Sequence, residues 1–180
     1  SADFGEPDLV ILPGTKSTIA DLLWMRQNGL EGKILRHASA GGLVFGICGG
    51  YQMLGAEVHD PDGVEAGAGK CVRGMELLPA RTVFEPEKHR TQITGHFGIV
   101  QGAFAELTDV PFAGYEIHMG QTTWIKEVKE KELEYEPEQK KSGQTACEVV
   151  VTGKNPNVYG SYIHGLFDTG NIADRIVQAL

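Results

Sequence analysis

Five consecutive residues, Gly46-Ile47-Cys48-Gly49-Gly50, constrain this chain more than any other stretch of it. They follow the apolar run Leu43-Val44-Phe45 and precede Tyr51-Gln52-Met53-Leu54, which can continue as a helix. A buried strand that passes into a helix through one sharp turn leaves little room for side chains, and glycines on both flanks meet that need. The apex residue is then presented at the edge of the sheet, at the N-terminal end of the helix. A cysteine in that place is expected to be a nucleophile: the helix dipole favours the thiolate and lowers its pKa. The backbone N–H of Gly49 points toward an oxyanion forming on an attacked carbonyl. A cysteine that merely fills core space does not need the three surrounding glycines. Cys71 and Cys147 lack this context and are read as ordinary packing residues.

The segments around the elbow predict an α/β fold. Asp8-Leu9-Val10-Ile11-Leu12 reads as a buried strand ended by Pro13-Gly14. Ile19, Leu22, Leu23 and Met25 recur at near-helical spacing, with Ser17 or Thr18 as cap and Asp21 near the positive end. Residues 31–40 read as a second helix before Gly41-Gly42 and the strand that leads to Cys48. Strand–helix–strand alternation of this kind argues for a mostly parallel central sheet flanked by helices. The second half differs. Residues 72–84 and 91–101, Ala146 to Val151 and Tyr159 to Ile163 read as strands, some of them antiparallel. Residues 126–141 are almost all charged or polar and read as a solvated loop or hairpin. Asn171 to Leu180 is helical in pattern, with Ile172, Ile176, Val177 and Leu180 on one face.

A nucleophile needs partners. A strand ended by Pro13-Gly14 stops at the same carboxyl edge of the sheet, where open α/β sheets place their sites, so Gly14 is the expected second oxyanion donor. His164 follows the alternating run Tyr159-Gly160-Ser161-Tyr162-Ile163 and precedes Gly165, a position suited to a side chain emerging at a strand end. It is the expected base, taking the thiol proton and returning it to the leaving group. His118 is the rival. His37, His59, His89 and His96 lie in polar or loop-like contexts.

Other chemistries find little in the sequence. The net charge of −8 carries no basic stripe for nucleic acid. No apolar run approaches the roughly 20 residues that span a bilayer. Neither a C-x-x-C pair nor an H-E-x-x-H motif occurs, so no metal site is expected. Three widely spaced cysteines make a poor disulfide framework and suit a reducing, cytoplasmic setting.

Four blocks together resemble the class I glutamine amidotransferase domains of the cobyric acid synthase family. They are Leu12-Pro13-Gly14-Thr15-Lys16-Ser17-Thr18, the elbow from Gly46 to Gly55, Gly114-Tyr115-Glu116-Ile117-His118-Met119-Gly120, and Tyr162-Ile163-His164-Gly165-Leu166-Phe167-Asp168. The resemblance implies a flavodoxin-like fold over residues 1–180 and hydrolysis of glutamine to glutamate and ammonia through a Cys48 thioester. It also implies that Gln52 and the Tyr115–Gly120 segment bind glutamine or align the site. Glu116 and His118 either line that site or serve a domain interface. In the family a separate synthetase domain, using ATP and magnesium, activates carboxylates of a corrin ring that the ammonia then captures. No G-x-x-x-x-G-K-[ST] motif is present. The expectation is therefore a C-terminal piece of a larger synthase, with roughly the first strand of the domain missing and no cofactor of its own. A cobyrinic acid a,c-diamide synthase, a cell-wall peptide amidotransferase and a catalytically silent interaction module are the alternatives. Many class I amidotransferases carry a glutamate two residues after the histidine. Here that position is Leu166, so a Cys–His dyad is expected, with His164 oriented by a backbone carbonyl, Asp168 or another carboxylate.

Overall fold

The computed structural model describes residues 4–125, 150–152, 156–168 and 170–180. Two sheets share the molecule. The first has strand order β1-β2-β8-β7, formed by β1 (Leu9–Leu12), β2 (Leu43–Ile47), β8 (Val158–Ser161) and β7 (Val151–Thr152). Its three core strands are parallel, β1 to β2 and β2 to β8, and β7 adds antiparallel at the edge. The β1–β2 crossover carries α1 (Thr18–Gln27) and α2 (Leu30–Ser39), and α3 (Gly49–Leu54) follows β2.

Side chains alternate across a strand, and this alternation divides the core in two. Val44 and Val158 face one cluster with Leu12 of β1, with Ile19, Leu22 and Met25 of α1, and with Ile34 and Ala38 of α2. Their neighbours Phe45 and Tyr159 face a second cluster, stacked with ring centroids 6.2 Å apart. There they meet Phe104 and Leu107 of a 3-10 helix (Gly102–Leu107) and Ile172 and Ile176 of α4 (Ile172–Gln178). Helices thus cover both faces, as the alternation of elements predicts. The C-terminal apolar face is narrower than expected: Val177 of α4 and Leu180 beyond its end stay exposed.

The antiparallel strands go further than the sequence suggests. They build a second, five-stranded sheet of order β4-β3-β5-β6-β9, antiparallel except for the parallel β3–β5 pair. Its members are β4 (Lys70–Arg73), β3 (Glu57–Asp60), β5 (Ala80–His96), β6 (Pro111–Trp124) and β9 (Ile163–His164). The expected strands at 72–84 and 91–101 are corrected accordingly. β4 ends at Arg73, and β5 runs unbroken from Ala80 to His96 along β6. Pro86 falls inside a register shift between Val83 and Lys88, where the missing N–H costs no ladder bond. The run Tyr159 to Ile163 is likewise not one strand. The chain leaves the first sheet at Ser161 and enters the second at Ile163, with Tyr162 at the step. The polar tract at 126–141 and the start of the expected strand at Ala146 lie outside the described residues, as does Cys147.

Candidate active site

The elbow has the predicted form. Cys48 joins β2 to α3 at φ 51° and ψ −109°, a left-handed conformation that strains any residue with a Cβ. Its N–H donates to the Ser161 carbonyl at the end of β8 at 2.8 Å, which ties the apex to the neighbouring strand. The first turn of α3 presses against β1 so closely that a Cβ on Gly50 would overlap the Leu12 carbonyl group. The side chain of Cys48 is buried, and its thiol donates to the Ile117 carbonyl of β6 at 3.5 Å.

His164 reaches the same point from the other sheet. A Cβ placed on Gly14 would lie 2.9 Å from the Cε1 of His164 and 3.5 Å from the Cβ of Cys48. Both side chains therefore lie beside the bare backbone of Gly14. Nε2 of His164 is buried with no hydrogen-bond partner among the described residues. On its other side the imidazole lies parallel to the ring of Tyr115, with centroids 5.4 Å apart and planes 7° apart. No carboxylate among the described residues bonds to it. Leu166 is packed into the second core, and the Asp168 N–H closes a turn on the Gly165 carbonyl at 3.0 Å.

Electrostatics correct one expectation. Burial pushes the Cys48 thiol above its ordinary value; the Gly49 N–H acts against this, and the charge of Glu65 adds to the rise. Desolvation thus outweighs the short helix behind the thiol, so the resting group is held as S–H rather than pulled down to thiolate.

The remaining predicted residues divide. Gly49 is buried beside Thr15 and Thr18. Gln52 is committed on every side. Its Nε2 donates to the Met119 carbonyl at 3.2 Å and to the Tyr162 hydroxyl at 3.3 Å, and its Oε1 accepts from the Thr18 hydroxyl at 3.2 Å. It fastens α1, α3 and β6 together beneath the elbow. His118 stacks on Tyr162 with centroids 3.9 Å apart, and its Nδ1 bonds the Gly120 carbonyl at 3.0 Å. Glu116 is half-buried in β6, paired with Ile163 of β9 and Thr91 of β5. Tyr162 also bonds Thr122, and its phenol is pushed up by burial, against the Thr122 and Gln52 hydrogen bonds.

Glu65 is the residue that sequence reasoning missed. Its carboxylate lies 3.2 Å from the Thr18 hydroxyl and accepts from the Ile19 N–H at 3.3 Å, capping α1 in place of the expected Ser17 or Thr18 side chain. Burial raises it above the usual carboxylate range. It is carried there by a loop folded around Asp60, whose buried carboxylate accepts the N–H groups of Val64, Glu65 and Ala66 at 2.6, 2.9 and 2.7 Å. The turn Pro61-Asp62-Gly63 was the available signal. Among the described residues, no group of three or more His, Cys, Asp or Glu side chains converges as metal ligands would. No helix there is long and apolar enough to cross a membrane.

Comparison with known proteins is consistent with this geometry. The CobB/CobQ-like glutamine amidotransferase domain family matches residues 1–172. A cobyric acid synthase of Lachnoclostridium phytofermentans is 44% identical over 178 residues, covering 97% of this chain and 34% of that protein. The cobyric acid synthase of Ruminiclostridium cellulolyticum is 47% identical over 178 residues, covering 99% and 34%. The chain thus spans about a third of the length of these curated relatives. A crystal structure described as a glutamine amidotransferase superposes with a TM-score of 0.51 at 13% identity, over 96% of this chain and 78% of that one, a likeness of fold.

Proposed function

Given that this chain belongs to the CobB/CobQ-like glutamine amidotransferase family, we propose that Cys48 and His164 hydrolyse glutamine here. The observation that carries the reading is that both side chains lie beside the backbone of Gly14. In this reading His164 takes the thiol proton as Sγ attacks the side-chain amide carbon. The tetrahedral oxyanion is met by the N–H groups of Gly49 and Gly14. His164 returns the proton to the departing nitrogen, which leaves as ammonia and a γ-glutamyl thioester remains. Water, deprotonated by the same imidazole, then cleaves the thioester to glutamate and the free thiol. The raised thiol fits a dyad in which the proton moves only when an amide is in place. Gln52 aligns the elbow from beneath, since each polar atom of its amide is already bonded to protein. Glu116 and His118 are assigned to the rim of the glutamine site.

The ammonia is destined, in the same proposal, for carboxylates of a corrin ring. An ATP- and magnesium-dependent synthetase region elsewhere in the polypeptide, in the cytoplasm, activates them. The support is the name and the length of the relatives, which are about three times as long as this chain. No cofactor is assigned to the residues described here.

A glutamine-mimicking diazo-ketone tests the glutaminase reading. Mass spectrometry of the treated full-length protein is expected to find one adduct, on Cys48, blocked by excess glutamine and absent from Cys48→Ala. An adduct distributed over Cys71 and Cys147, or none at all, overturns it.

A further inference from the structure

We propose that the ring of Tyr115 orients His164, taking the place of the carboxylate that a catalytic imidazole ordinarily leans on. The proposal rests on the glutaminase reading for the consequence but on geometry for the contact. A base must present one nitrogen to the nucleophile in a fixed direction, and a partner on the far side of the ring ordinarily fixes it. No carboxylate among the described residues bonds to His164. Leu166 is a core side chain, and the Asp168 carboxylate lies beside Gly165, with Oδ2 3.4 Å from the point a Cβ on that glycine would occupy.

What lies against the imidazole is the ring of Tyr115, parallel within 7° with centroids 5.4 Å apart. Gly14 stands at the Cε1 atom, where a Cβ would be 2.9 Å away. The stacked pair is built into the sheet rather than left to side-chain chance. Tyr115 and His164 are register partners across the antiparallel β6–β9 pair, so their side chains rise from the same face at adjacent positions. Gly114 allows β9 to lie this close, since a Cβ there would overlap the His164 carbonyl oxygen. Gly165, at φ 72°, then turns the chain away so that Tyr115 Cε1 lies only 3.7 Å from the point a Cβ on it would occupy.

The parallel ring sets the plane of the imidazole. Nε2 is buried on its edge and unpartnered among the described residues. An edge nitrogen with no competing acceptor is free to exchange a proton with the thiol and with the leaving amine. The aromatic face also favours the imidazolium that forms when the proton arrives. Tyr115 is thus a positioning residue, and the ring, not the hydroxyl, is the active part.

The test compares Tyr115→Phe with Tyr115→Leu in the full-length protein. NMR of carbon-13-labelled histidine is expected to show the His164 ring protons moved by the ring current of the stacked aromatic in wild type and in Tyr115→Phe. They return toward ordinary positions in Tyr115→Leu. Glutamine hydrolysis by Tyr115→Phe stays within about twofold of wild type. In Tyr115→Leu kcat drops by roughly 10–100-fold, with KM within about threefold, as expected when a reacting group is misplaced by an ångström or less. A wild-type His164 resonance with no ring-current displacement overturns the proposal, even if Tyr115→Leu fails to fold. So does a folded Tyr115→Leu that keeps its kcat, or a Tyr115→Phe as impaired as Tyr115→Leu. A wild type that hydrolyses no glutamine removes the glutaminase reading, while the NMR comparison still decides on the stacked pair.

Discussion

The two halves of the candidate site are built in opposite ways. Cys48 is positioned by its immediate neighbours: β2 ends, the chain turns through φ 51°, and α3 begins, all between Leu43 and Leu54. His164 is positioned by distant ones. Its strand has two residues, and its place is set by β6, about fifty residues earlier, and by Gly14 near the start of the chain. The nucleophile is a feature of local backbone geometry, whereas the base is a feature of tertiary assembly. The first half tolerates almost no change in its own sequence. The second depends on strands that need only arrive in register.

That contrast can be broken by substitution. The largest effect is expected at Gly50→Ala, whose new methyl group meets the Leu12 carbonyl, a backbone group that cannot swing aside. We expect a loss of at least about 3 kcal/mol in a denaturant melt, together with the loss of Cys48 reactivity. A folded, reactive Gly50→Ala would show the elbow to be more pliable than its geometry implies. Next comes Gly114→Ala, which forces β9 away from β6 at the His164 carbonyl. Glutamine hydrolysis is expected to drop by about 10–100-fold while Cys48 remains intact as a thiol, since only the base has moved. Equal damage to both groups would collapse the distinction between the halves.

The smallest effect concerns the loop that carries Glu65 to the elbow. Burial alone would raise the Asp60 carboxyl, but the N–H groups of Ala66, Glu65, Val64 and Gly63 outweigh it and hold it below the usual range. Unfolding releases those bonds, returns the group to about 3.9 and takes up a proton on acidification. Its contribution is therefore complete above that value and is lost as pH falls through the depressed native one. Asp60→Asn is expected to cost roughly 1–3 kcal/mol at neutral pH and to flatten the acid limb of a thermal-melting profile. An unchanged acid limb would mean that other carboxylates set it.

The same division explains what could be read from the sequence. The elbow was legible because its requirements are contiguous: an apolar run, glycines at fixed offsets, then a helix-forming stretch. Gly14 was legible for a similar reason, as a strand-ending turn. His164 could be selected, but its surroundings could not. Tyr159 to Ile163 alternates like a single strand, and nothing local marks Tyr162 as the step between two sheets. β5 was read as parts of two strands, 72–84 and 91–101, although a register shift absorbs Pro86 and the strand continues. The thiol was expected to be acidic from the helix behind it, and the depth of its burial, a property of the whole fold, reversed the sign. The turn at Pro61-Asp62-Gly63 marked the loop, but the role of Glu65 was not legible, because an acid that caps a helix 46 residues away leaves no periodic trace.

The buried, proton-bearing state of Cys48 also bears on the lifetime of the protein. Thiolates are what peroxide and alkylating metabolites attack, and a desolvated thiol kept as S–H presents them with little to react with. Cys71, by contrast, lies exposed on the surface. Of these two sulfurs, the exposed one is not used by the proposed reaction. Between turnovers the one sulfur that the reaction cannot replace rests in its least perishable form.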